Sequence, residues 1–159
     1  MRRPRRIALV WLAAPFLLGV TGRTPPLAIL PGTTVACVLM NVKNQATLKG
    51  FSGSGSPPLI RLIDDSAGNS TTLCDTGSSG QANCTIGVGC SNPPVLGAQV
   101  ACVLTYQAPQ TPAYAPSTYP HTLHCEFNFQ GAGRYARGSI MILDSANRVL
   151  GTAPFRRET

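Results

Sequence analysis

A chain of 159 residues, 43% of them hydrophobic, has material for one buried core and is short for two typical domains. Its formal charge of +7 overstates its basic character: four of the thirteen Lys and Arg (Arg2, Arg3, Arg5 and Arg6) stand ahead of an apolar run, and without them nine bases face six acids, a charge of +3. That value is ordinary for a soluble domain, so charge gives no argument for nucleic acid as a partner.

The run Ile7 to Val20 is uncharged and apolar for fourteen residues, interrupted by Pro15 and followed by small residues up to Gly22. Basic, apolar and small segments in that order are the parts of an export signal. The run is shorter than the roughly 18 to 20 residues of a membrane-spanning helix. We therefore expect residues 1–22 to form a signal helix that is cut off between Gly22 and Arg23, with no transmembrane segment left and the product secreted or periplasmic. Residues 23–32 then read as a linker, 33–155 as the folded domain and 156–159 as a tail.

Past the signal no stretch carries a helical period, whereas short β-branched or aromatic runs alternate with Gly, Pro, Ser and Asn. The predicted strands are Thr34 to Val42, Leu59 to Ile63, Thr71 to Cys74, Gln99 to Tyr106, Leu123 to Phe129, Gly138 to Leu143 and Arg148 to Thr152. The clearest alternation is Leu123, Cys125, Phe127 and Phe129 against His124, Glu126 and Asn128, which buries one face and wets the other. Seven or so strands predict an all-β fold, a single two-sheet β-sandwich. Asp75 to Val95 and the proline-rich Gln107 to Pro120 read as surface loops.

Two segments echo each other. Leu59 to Asn69 and Ile140 to Asn147 each run from an apolar strand into Asp and then a Ser/Ala/Asn turn, and each follows a cysteine strand, around Cys37 or Cys125. Asp and Asn bond their own backbone and tolerate left-handed dihedrals, so both read as β-hairpins. The halves would be related units packed face to face, with chance likeness as the alternative. A shorter echo, Thr34 to Leu39 against Gln99 to Leu104, carries little weight.

Six cysteines, Cys37, Cys74, Cys84, Cys90, Cys102 and Cys125, follow the signal. An even number behind an export signal points to disulfides. The absence of any Cys-x-x-Cys spacing argues against a zinc or thioredoxin-like site. Fifteen pairings are open; we expect Cys37 with Cys125 across strands, and the other four among themselves.

The stretches Leu123-His-Cys-Glu-Phe127 and Arg137-Gly-Ser-Ile-Met-Ile-Leu-Asp144, with Cys37-Val-Leu-Met-Asn41 and Ile60-Arg-Leu-Ile-Asp64, resemble small secreted bacterial β-sandwich proteins. The resemblance covers about half of the chain beyond the signal. It implies an immunoglobulin- or fibronectin-III-like sandwich and carries no catalytic motif with it. The core Trp of antibody-type domains is missing, since Trp11 lies in the signal.

Candidate chemistry is sparse. Asp75-Thr-Gly-Ser78 is similar to the aspartic-protease loop, in which two facing aspartates share a proton, so a single copy would need a homodimer; it also reads as a polar turn. His121 and His124 sit beside Glu126, but on a strand positions three apart point to opposite faces and do not share one metal ion. Asp64, Asp65, Asn69 and Asp144 are oxygen donors without the order of a calcium loop, and turn chemistry accounts for them with less. No Gly-x-Ser-x-Gly elbow or phosphate-binding Gly-rich loop is present. We expect no catalytic site, metal or cofactor.

Two surface features suit binding. Tyr106, Tyr114 and Tyr119 punctuate the proline-rich segment, and aromatic anchors on a stiff loop lose little entropy on docking. Arg134, Arg137 and Arg148, with Arg156 and Arg157, outnumber the acids of the C-terminal part and suit a protein or an anionic glycan. The sequence thus reads as a secreted non-catalytic module that binds by its surface or builds the envelope, with a homodimeric hydrolase using Asp75 as the rival.

Overall fold

The computed structural model describes residues 19–43, 47–50, 59–66, 68, 70–87, 89–90, 95–110, 121–130 and 133–157. They form two antiparallel sheets and no α-helix, with a single 3₁₀ turn at Gly133–Tyr135. The strands are β1 (Gly19–Arg23), β2 (Leu27–Ile29), β3 (Thr34–Asn41), β4 (Leu48–Lys49), β5 (Ile60–Asp64), β6 (Thr71–Asp75), β7 (Cys84–Ile86), β8 (Val95–Leu96), β9 (Ala101–Gln107), β10 (His121–Gln130), β11 (Ala136–Leu143), β12 (Val149–Pro154) and β13 (Arg156–Arg157).

One sheet has the order β12-β11-β3-β9-β7. The other is built around β10, whose one edge takes β5 and the end of β4 and whose opposite edge takes β1 and β2 in succession. Between β1 and β2, Pro25 and Pro26 lack N–H groups to give, and Thr24 holds the chain in line: its N–H donates to the Cys125 carbonyl and its hydroxyl accepts the Cys125 N–H, both at 3.0 Å. The expected linker is therefore part of the sheet, with Ile29 buried in the core, and half of the expected tail is β13.

The seven predicted strands are present within two residues of the expected bounds. The others, two to five residues long, escaped detection because so few residues show no period. One of them, β7, pairs with β9 inside what reads as a loop in the sequence.

The core is the side-chain layer between the sheets. Leu123, Cys125, Phe127 and Phe129 of β10, with Ile60 and Leu62 of β5, face Val35, Cys37 and Leu39 of β3, Leu104 and Tyr106 of β9, and Ile140 and Ile142 of β11. The other face of β10 is less wet than its polar residues suggest, for His124 and Asn128 are 5% and 6% exposed.

Both predicted hairpins exist, β5–β6 and β11–β12. In each, the aspartate at the turn accepts the N–H two residues on, Ser66 to Asp64 at 2.9 Å and Ala146 to Asp144 at 2.8 Å. Gly68 and Asn147 supply the left-handed dihedrals, φ 74° and 59°. The two units lie in opposite sheets but are interleaved. The hairpin that follows the Cys37 strand pairs with the Cys125 strand, Leu62 opposite Cys125; the hairpin that follows the Cys125 strand pairs with the Cys37 strand, Ile140 opposite Cys37. The shorter echo also has a place in the fold: β3 and β9 are antiparallel neighbours, with Cys37 opposite Leu104 and Leu39 opposite Cys102.

The disulfides are Cys37–Cys125, Cys74–Cys84 and Cys90–Cys102. The first two join one sheet to the other, and the third ties the segment after β7 back to β9. Gly89 is the residue that lets this segment lie flat: its φ is 105°, and an added Cβ would sit 2.3 Å from the Ala101 carbonyl oxygen.

Candidate functional site

Four titratable side chains of the sheet built around β10 gather at the start of that strand. His121 and His124 point to opposite faces of the strand, as their spacing requires, and each meets one of two consecutive aspartates. The distance is 2.6 Å both for His121 Nδ1 to Asp64 Oδ2 and for His124 Nδ1 to Asp65 Oδ2. Around them the turn after β5 is clamped to β10: the Asp65 N–H donates to the Thr122 carbonyl, the Thr122 N–H donates to the Ser66 hydroxyl, and the Ser66 hydroxyl and N–H both donate to Asp64. Burial alone would raise the Asp64 pKa. The donors of Ser66 and the His121 ring outweigh it and hold the carboxyl below its ordinary value. Among the described residues no group of three or more His, Cys, Asp or Glu is placed to hold a metal ion.

Asp75 closes a turn of its own. Its carboxylate accepts the Gly77 N–H at 2.8 Å, the Ser78 hydroxyl at 3.2 Å and the Gln81 side-chain amide at 3.2 Å, while the Asp75 N–H donates to Gln81 Oε1 at 2.7 Å. The local pattern is an Asx turn, which the Asp-Thr-Gly-Ser string forms readily.

Of the predicted binding residues, Tyr106 is 4% exposed and belongs to the core; it faces inward on β9 beside Leu104 and is no surface anchor. Tyr114 and Tyr119 lie outside the described residues. Arg148 is tied by its Nε to Asp144 Oδ2 at 2.7 Å, at the turn end of the β11–β12 hairpin, and so is separated from Arg134 and Arg137 at the other end. Those two stand beside the C-terminal strand. Arg134 stacks on the Tyr135 ring at 4.9 Å with Lys43 at 4.6 Å from the same ring, and Arg137 Nη1 donates to the Arg134 and Ala136 carbonyls at 3.0 and 2.9 Å.

The short strand β13 joins these arginines to others. It pairs with β1, which places Arg156 opposite Arg23 and Arg157 opposite Gly22. Arg157 lies between two concavities. One, of about 510 Å³, is lined by Arg23, Thr24, His124, Asp65, Arg156 and Arg157; the other, of about 480 Å³, is lined by Arg134, Arg137, Pro154, Phe155 and Arg157.

Cross-strand partners share a face of the sheet, so the pairs Arg156–Arg23, Arg23–Glu126, Glu126–Arg61 and Arg61–Asp75 form one row over five strands. At the usual strand spacing the row is roughly 19 Å long. Its basic end is at Arg156 and Arg23. Sequence reasoning missed Arg23, because the residue reads there as the first of a linker, and nothing in a five-residue strand merged with an apolar run announces its partner.

Each described carboxylate has a partner: Asp64 and Asp65 the histidines, Asp75 its turn, Asp144 the Arg148 guanidinium, and Glu126 the Arg61 guanidinium at 3.9 Å, with Arg23 opposite it on the other side. Comparison with known proteins finds no family model and no curated relative that matches the chain. The assignment of function therefore rests on this geometry.

Proposed function

We propose that the chain is a non-catalytic binding module that works outside the reducing cytoplasm, and that the arginine surface around β13 holds an anionic polysaccharide, one bearing carboxylate or sulfate groups. The observation that carries the reading is the pairing of Arg156 with Arg23. Like charges opposite each other across a strand pair cost stability, and an anion seated between them turns that cost into affinity. Arg157, Arg134 and Arg137 extend the same sign of charge around Phe155 into the second concavity. Planar guanidinium groups suit the two-oxygen geometry of carboxylate and sulfate.

The compartment follows from three bridges, which persist where thiols are not kept reduced. No helix among the described residues is long and apolar enough to cross a membrane. An immunoglobulin- or fibronectin-III-like sandwich of the small secreted bacterial kind remains our reading of the fold type; two antiparallel sheets joined by Cys37–Cys125 support it. We rank the Asp75 hydrolase below this function, because the carboxylate's acceptor sites serve its own turn.

The test is titration of the exported protein with dextran sulfate and with polygalacturonate at rising salt. We expect binding at low ionic strength that weakens as salt screens it, and at least a tenfold loss in the Arg156→Ala/Arg157→Ala double variant. The Arg148→Ala variant serves as control and should bind as the parent does. No binding of either polymer at low salt, or equal binding by the double variant, removes the reading.

A further inference from the structure

We propose that the outer face of the β12-β11-β3-β9-β7 sheet is an interface between two copies of this chain, packed face to face so that both arginine surfaces point outward.

The two sheets differ on the side away from the core. Along β10 apolar and polar residues alternate, as in a sheet with one face in water. The middle strands of the other sheet are apolar on both sides: Val35-Ala-Cys-Val-Leu-Met40 in β3, Ala101-Cys-Val-Leu104 in β9 and Ile140-Met-Ile-Leu143 in β11. Near-continuous apolar strands belong to sheets that are covered on both faces. In register, Val103, Val38 and Ser139 form one row across the outer side, and Thr105, Ala36 and Met141 form the next. The five strands carry one charged residue, Arg137, at a corner of this face, where its guanidinium turns back to the Arg134 and Ala136 carbonyls. Both methionines beyond Met1 stand here, and Met40 is 43% exposed. Scarce charge with adaptable methionine is the composition of an interface centre.

Charge and area select a second copy as the occupant. A charged partner would find a single cation, at the corner, whereas a second copy brings the same uncharged surface and keeps its Arg23 and Arg156 on the other sheet. Under two-fold symmetry one such face is the complement of the other. Five strands about 4.8 Å apart, each about six residues of 3.3 Å, give roughly 500 Å² in plan. The pair then buries about 1,000 Å², the lower bound of a specific interface. In this dimer the two arginine rows lie three sheet spacings, or roughly 30 Å, apart and face away from each other. The interface does not depend on the ligand; failure to bind polyanions leaves it untouched.

The exported protein is followed by sedimentation velocity between about 1 and 500 μM, the span in which so small an interface associates. In parallel, initial rates of hydrogen peroxide oxidation of Met40 and Met141 are read by mass spectrometry. We expect the mass to pass from one copy to two, and both methionines to oxidise about threefold more slowly at the top concentration, where the partner covers them. Met141→Glu should weaken association at least about tenfold, because it buries a carboxylate without a counter-charge in the middle of the face. A single copy at every concentration overturns the proposal, whether another segment of the chain or a different protein covers the face. So does a dimer that Met141→Glu leaves intact, or one whose methionines oxidise as fast as the monomer's, since it would use another surface. Should the variant fail to fold, the parent's mass and methionine rates decide.

Discussion

Arg156 lies directly opposite Arg23 across the β13–β1 pair, two like charges facing each other on the same side of the sheet. If the pairing serves a ligand, Arg156→Glu separates stability from binding. The new Glu would face Arg23 and stabilise the domain by about 0.5 kcal/mol, while affinity for dextran sulfate falls at least tenfold. Denaturant midpoint and binding isotherm are measured on the same preparation. A variant that loses stability, or binds as tightly as the parent, contradicts the idea.

The three bridges should differ in value. Cys37–Cys125 closes a loop of sequence separation 88, against 10 and 12 for the other two. In the chain-entropy account the long loop contributes roughly 4.5 kcal/mol and the short ones a little under 3. Replacing Cys37 and Cys125 together by Ala should therefore lower the urea midpoint more than replacing Cys90 and Cys102. The reverse order would mean that the anchoring of the segment after β7 outweighs the sheet-to-sheet link.

Acid should loosen the turn after β5. The Asp64 carboxyl titrates below its ordinary value in the folded protein, so in acid the unfolded chain takes up its proton first. The contribution to stability is complete above the unfolded pKa of about 4 and disappears as pH falls through the folded value. Denaturation followed from pH 7 down to pH 2.5 should show a slope below pH 4 that is shallower in Asp64→Asn. An identical slope in the variant would place the acid sensitivity elsewhere.

Asn41 is fully buried at the end of β3. Its side-chain amide donates to the Leu96 and Gly97 carbonyls at 3.3 and 3.0 Å, and its Oδ1 accepts the Lys43 N–H at 3.1 Å. Asn41→Leu keeps the volume but leaves those backbone groups without this partner, at a cost of about 1–3 kcal/mol. Amide exchange near Leu96 should quicken in the variant. Unchanged stability would mean that water replaces the side chain.

Much of the fold was legible in the alternation of single strands. Leu123, Cys125, Phe127 and Phe129 form the inner face of β10 as predicted, and the Asp-led turns at Asp64 and Asp144 close hairpins as their residues dictate. The same alternation misjudged His124 and Asn128. Polarity marks a side chain as facing away from the core, but neighbours on the outer face can still cover it. Tyr106 misled in the other direction, since an aromatic next to a proline-rich segment can as well be the last inward residue of a strand.

The candidate site was less legible. Arg134 and Arg137 were in view, but Arg23 and the two His–Asp pairs were not. Arg23 and Arg156 are 133 positions apart in the chain, and no local signal couples them.

The amino-acid sequence by itself determined that this chain is all β, where its longer strands and two hairpins run, and that its cysteines suit oxidation. Those properties are local: they depend on side-chain period, turn chemistry and residue type. Only the tertiary structure decided that each hairpin joins the other half's cysteine strand, that β1 and β13 bring arginines face to face, and which sulfurs meet. Strand pairing is chosen by packing across the whole core, and period-two alternation tells which side a residue faces but not which strand lies beside it.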